Sequence, residues 1–215
     1  MNQQKSFLSL IFACMITLSF GQKSTKGLLN PTKIGIQFTQ GNENSFLFND
    51  PDYFYKTNTI KLQFFYPLTQ WKTVDIALIL QPQVQFIQHQ LFNEQFVLPE
   101  EENYLEKRAK YTKLKDISIT ALEFTIDAKK KLYKNTSLFI QFGLGLAIID
   151  TSTERLVNGF TFLENLNLGI EQAINTKISM RIFGGIGHVS NLNFQLPNAG
   201  YNIFNTGFSL QYALK

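Results

Sequence analysis

Residues 176–215 read TKISMRIFGGIGHVSNLNFQLPNAGYNIFNTGFSLQYALK, and their alternation decides the fold. From Ile178, every second residue gives Ile178, Met180, Ile182, Gly184, Ile186, His188 and Ser190. The other phase gives Ser179, Arg181, Phe183, Gly185, Gly187 and Val189. A period of two describes a strand with one oily face and one mostly small or polar face. After a short connection, Asn202, Phe204, Thr206, Phe208, Leu210, Tyr212 and Leu214 alternate with Tyr201, Ile203, Asn205, Gly207, Ser209, Gln211 and Ala213. Paired as an antiparallel hairpin, these strands bring His188, Ser190 and Asn202 together on the oily side. A serine and a histidine, with a third polar group beside them, then face an apolar medium.

Six further segments alternate in the same way: residues 33–40, 59–68, 74–88, 117–128, 138–148 and 159–172. Their oily rows (Ile34, Ile36 and Phe38; Ile140, Phe142 and Leu144) are backed by Gln37, Gln81, Gln83, Gln85, Glu123, Asp127 and Gln141. Glutamines and charges suit the polar interior of a membrane barrel and poorly suit the core of a soluble sandwich. The connections alternate in length, with a short turn at residues 67–72 and the longest stretch at 91–116. The expected fold is therefore all-β: an eight-stranded antiparallel transmembrane β-barrel. Pro82 interrupts a strand ladder. Ile117 and Ile119 fall out of phase, which predicts a bulge there. Arg181 and Glu171 point inward, toward a polar lumen network, and His89 belongs to the lumen or its rim.

Upstream, residues 1–21 carry Lys5, an apolar run from Phe7 to Phe20, and Gly21 before Gln22. The run is too short to span a bilayer as a helix and fits a cleaved signal peptide, leaving residues 22–215 as the barrel domain. The single cysteine, Cys14, lies inside that leader. Disulfides, thiol nucleophiles and Cys-ligated zinc are thereby excluded from the exported chain. Two histidines rule out a multi-histidine metal site, so neither metal nor cofactor is expected. A formal net charge of +4 is too mild to argue for nucleic acid.

Position along the strand suggests chemistry. A strand tilted by about 45° climbs roughly 2.3 Å per residue, so Ser190 lies ~28 Å from the level of Ile178, against an apolar band of about 25 Å. His188 and Ser190 thus emerge at the edge of the hydrocarbon, where lipid ester linkages lie. A serine becomes a nucleophile beside a base, and a histidine two residues away on one face is within reach. The base needs an orienting partner. Asn202 is one candidate. Glu164, in the oily row of the preceding strand, is another, expected near Gly184 or Ile186, a few residues below His188. The plain alternatives are a non-catalytic barrel with interfacial polar residues, and an esterase acting on phospholipid.

The segment GHVSNLNFQLPNAGYN, residues 187–202, resembles the His-x-Ser-Asn … Pro-Asn-x-Gly segment of the lipid A 3-O-deacylases, the PagL-type barrels. Strand count, leader and chain size are similar as well. The resemblance implies an outer-membrane serine esterase of a Gram-negative envelope, hydrolysing the 3-position acyl ester of lipid A in lipopolysaccharide. A monomer or homodimer without a cofactor is expected. By resemblance, Ser190 is the nucleophile and His188 the base, Asn198 donates to the oxyanion, and Asn191 fixes the loop. The family's acidic third member falls on Asn202, which is not acidic, and this keeps Glu164 in consideration. Gly184, Lys107 and Arg108 are candidate substrate contacts: the glycine as a groove in the wall, the two cations as partners for lipid phosphates.

Overall fold

A computed structural model of the chain describes residues 30–214, and the leader reading falls outside them. Eight strands close a barrel in which each pairs antiparallel with its neighbours in sequence and β8 returns to β1. They are β1 (Lys33–Asn42), β2 (Tyr53–Trp71), β3 (Val74–Leu91), β4 (Lys115–Tyr133), β5 (Thr136–Ile149), β6 (Gly159–Ala173), β7 (Ile178–Ser190) and β8 (Tyr201–Ala213). Short turns at 72–73, 134–135 and 174–177 gather at one end. The long connections, 43–52, 92–114, 150–158 and 191–200, gather at the other. The second of these carries a 3₁₀ turn (Glu94–Phe96) and a helix, α1 (Tyr104–Tyr111). Among the described residues no helix is long and apolar enough to cross a membrane.

The outer wall is oily, as the alternation requires. Phe142 is 58% exposed and Ile182 59%, within a belt that includes Ile36, Leu62, Phe124, Leu168 and Leu210. So much contiguous apolar surface is stable only against a matching apolar medium. Inward, the glutamine and charge rows form hydrogen-bonded clusters. Glu123 is completely buried and accepts from Lys61 at 2.8 Å, Gln81 at 3.0 Å, Gln83 at 3.0 Å and Asn165 at 2.7 Å. Nearer the short turns, Arg181 makes a forked pair with Asp127 at 2.7 and 3.0 Å and an Nε–H bond to Glu171 at 2.7 Å. Between Lys61, Gln83 and Asn165 the remaining cavity is about 20 Å³, room for about one water.

Three sequence expectations are corrected here. The lumen is not polar throughout. Towards the long connections it is filled by Tyr53, Tyr55, Ile87, Ile117, Ile119, Ile149, Leu156, Leu163, Val189, Tyr201 and Ile203. Ile117 and Ile119 therefore face inward in an unbroken register with β3, and no bulge is needed. Their apparent phase error is a change in what the lumen contains. Lastly, β2 does not turn at residues 67–72. It runs to Trp71 and shifts register between Pro67 and Thr69, where proline withholds a donor, and the reversal comes at Lys72 with φ +55°. Pro82 also withholds a donor but leaves the register unchanged: β2–β3 pairing skips from Gln83 to Leu80, while β4 still pairs with Pro82.

Candidate active site

Strands β6, β7 and β8 meet the oily exterior with one polar rung. Glu164 pairs with His188, and His188 pairs with Asn202. Their neighbours Leu163, Val189, Tyr201 and Ile203 are buried in the lumen, so the strand pleat holds all three polar residues on the outer phase. Glu164 is thus level with His188, and not beside Gly184 or Ile186. The β6–β7 register places it there, with Leu166 opposite Ile186 and Leu168 opposite Gly184. Directly paired positions keep their Cβ atoms about 4.5–5.5 Å apart.

His188 Nδ1 lies 2.7 Å from Asn202 Oδ1. An amide oxygen only accepts, so Nδ1 carries the proton in this arrangement and Nε2 keeps its lone pair. That is the tautomer a general base needs. Ser190 follows two residues on, its Cα roughly 6.6 Å further along the strand. It shares the outer phase but is only 6% exposed. Phe194 packs against Phe162, the residue paired with Ser190, at 6.1 Å between ring centroids. Thr161 Oγ1 donates to the Ser190 carbonyl at 2.9 Å and fixes the strand end. Ser190 and His188 make no hydrogen bond in this structure, so the hydroxyl has to rotate or approach when substrate binds.

The 191–200 connection is a network of short amides. The Asn191 N–H donates to Asn198 Oδ1 at 2.7 Å, Asn198 Nδ2 to Asn193 Oδ1 at 3.1 Å, and Asn191 Nδ2 to the Gln195 carbonyl at 2.9 Å. Leu192 and Asn193 turn the chain with φ of +53° and +60°. Asparagine tolerates that region, whereas leucine occupies it at a cost. Asn198 is therefore pinned beside the backbone that leaves Ser190, and one hydrogen of its amide remains to be offered.

Gly200 completes the site, and the sequence reading passed over it. Its φ is +68°, and a Cβ built there lies 2.6 Å from the Val189 carbonyl, 3.1 Å from His188 Cε1 and 3.4 Å from Nε2. Only a glycine lets the backbone lie this close against the imidazole edge. The glycine after Pro197-Asn198-Ala199 was the available signal. The other candidates are more distant in role. Gly184 lies on the outer wall, with Phe204 over the space a side chain would take, a Cβ there lying 3.4 Å from its ring. Lys107 pairs with Glu101 at 3.0 Å, which holds that carboxyl below its usual range. The Arg108 guanidinium is committed to the Val97 carbonyl at 2.8 and 3.0 Å. Among the described residues, no three His, Cys, Asp or Glu side chains cluster as a metal site would require.

The family described as "Lipid A 3-O-deacylase (PagL)" matches residues 18–211. The chain belongs to that family. Its fold is similar to the crystal structure of the outer membrane enzyme PagL, with a TM-score of 0.52 and 11% identity, covering 83% of this chain and 97% of that one. Neisserial surface protein A (NspA) is similar at a TM-score of 0.44 and 8% identity, over 85% of this chain and 96% of that one. No curated protein matches the sequence. Membership of the PagL family makes the chain an outer-membrane barrel of a hydrolase family whose substrate is lipid A.

Proposed function

We propose that this barrel hydrolyses the 3-position acyl ester of lipid A with Ser190 as nucleophile and His188 as general base. The observation that carries the reading is the 2.7 Å His188–Asn202 bond on the lipid-facing wall, with Ser190 next on the same strand phase. Residues 1–21 serve as the export signal in this reading. The long-connection end faces outward, which sets the site level with the outer-leaflet ester linkages.

Nε2 takes the Ser190 hydroxyl proton as the oxygen attacks the acyl carbonyl. The tetrahedral oxyanion accepts a hydrogen bond from the remaining Asn198 amide hydrogen. Collapse breaks the ester bond. The imidazolium gives its proton to the departing 3-oxygen of the sugar, which leaves as a free hydroxyl, and an acyl-serine remains. Water, deprotonated by His188, then releases the fatty acid and restores the serine. Asn202 holds the tautomer but carries no charge to balance the imidazolium. Glu164 stands on the other side of the same rung without a hydrogen bond or ion pair to His188, and in this reading it offsets the imidazolium charge through space across the strand pair.

The test is mass spectrometry of lipid A and phospholipids from cells expressing the protein or its Ser190→Ala variant. Loss of one 3-hydroxyacyl chain, restored in the variant, supports the proposal. Intact lipid A with released phospholipid fatty acids, or no lipid change at all, counts against it.

A further inference from the structure

We propose that Arg155 is a positioning residue for this site, clamping the Gly200 turn against the His188 ring. The proposal rests on the Ser190–His188 reading above. Arg155 grips that turn from two sides. Its Nε–H donates to the Gly200 carbonyl at 2.9 Å, and its own carbonyl accepts from the Ala199 N–H at 2.8 Å and the Gly200 N–H at 3.3 Å. Next to it, Leu156 bridges to Asn198, and the Val157 N–H reaches the Pro197 carbonyl at 3.3 Å. Residues 155–157 thus run as a short extra strand along 197–200. The segment carrying Asn198 and Gly200 takes its position from the β5–β6 connection as well as from the Asn191 and Asn193 contacts within its own hairpin.

Arg155 is itself held firmly. Its guanidinium carbon lies 4.5 Å from the Tyr53 ring centroid, 4.9 Å from that of Phe96 and 5.8 Å from that of Tyr201, with Nη1 3.6 Å from Asp50 Oδ2. Thr153 Oγ1 accepts from the backbone N–H groups of Arg155 and Leu156, and the Tyr201 hydroxyl donates to it at 2.6 Å. Three long connections and the apolar plug of the lumen therefore converge on this one side chain. A planar guanidinium stacks on aromatic faces and still offers an Nε–H sideways. A lysine ammonium reproduces the charge but neither the plane nor the fork. Because Gly200 lies against the Cε1–Nε2 edge of His188, slackening the clamp costs the ring edge that must meet Ser190 its fixed orientation.

The experiment compares wild type with Arg155→Lys, Arg155→Met, Phe96→Leu and Ser190→Ala in detergent-lipid micelles. Folding is checked by the heat-dependent gel shift of the barrel. Lipid A deacylation gives kcat and KM, and hydrogen–deuterium exchange is followed at the Ala199 and Gly200 amides. Expected are a 10- to 100-fold fall in kcat for both Arg155 variants with KM within about threefold, no rescue by lysine, at least tenfold faster exchange at Gly200, and a smaller change of the same kind for Phe96→Leu. Should Arg155→Met fail to fold, the lysine and Phe96 variants carry the same comparison. Wild-type kcat in Arg155→Lys overturns the proposal, as does unchanged Gly200 exchange or a raised KM at unchanged kcat. Those failures leave Ser190→Ala inactive, whereas an active Ser190→Ala overturns the underlying reading together with the clamp.

Discussion

Placing one methyl group on Gly200 separates crowding of the imidazole from backbone strain. Gly200→Ala forces an L-residue to φ +68°, which costs about 1–2 kcal/mol. It also sets a Cβ 2.6 Å from the Val189 carbonyl and 3.1 Å from His188 Cε1, distances that only movement relieves. The Val189 carbonyl belongs to the β7–β8 ladder and resists shifting, so the turn lifts away from the ring and carries Asn198 with it. A misplacement of ~1 Å at a catalytic group costs on the order of 10²-fold in rate. Gly200→Asn keeps the crowding but relieves part of the strain, because asparagine tolerates the left-handed region. Alanine is therefore expected to lower both stability, by about 1–2 kcal/mol in urea titrations of the micellar barrel, and kcat, by about 100-fold. Asparagine is expected to regain stability without regaining kcat. Full activity in Gly200→Ala, or parallel recovery of both properties in Gly200→Asn, refutes the reasoning.

Asn202→Leu removes the acceptor that fixes the His188 tautomer and is expected to lower kcat by roughly 10²–10⁴ with the gel shift intact; unchanged turnover assigns that role elsewhere. Glu164→Gln is expected to lower kcat by about tenfold through loss of charge balance, measured on the same substrate, and a wild-type rate removes Glu164 from the site. Lys61→Met leaves the Glu123 carboxylate buried without its ion-pair partner, at a cost of about 3–5 kcal/mol. The double change with Glu123→Gln is expected to be milder than the single one, as read by urea unfolding.

The parts of this molecule visible in its sequence are those governed by the two-residue period. The outward phase of His188 and Ser190, the inward glutamines and the inward phase of Arg181 and Glu171 all follow from pleat alone, while the meeting of the last two is set by register. Three features do not. Glu164 lands opposite His188 only because of the β6–β7 register, which is set by a four-residue turn whose geometry leaves no periodic trace. Ile117 and Ile119 look misplaced until the lumen is seen to change from polar to apolar along its length. Arg155 stands in a connection with no alternation, and its partners Tyr53, Phe96 and Gly200 come from three distant parts of the chain.

Purified barrel mixed with lipid A in micelles, followed by mass spectrometry over time, addresses the claimed chemistry most directly. The wild-type chain is expected to remove a single ester-linked 3-hydroxyacyl group from each lipid A molecule, and Ser190→Ala to remove none. Lipid A that keeps all its chains with the folded wild-type protein, or equal deacylation by Ser190→Ala, would contradict the assignment.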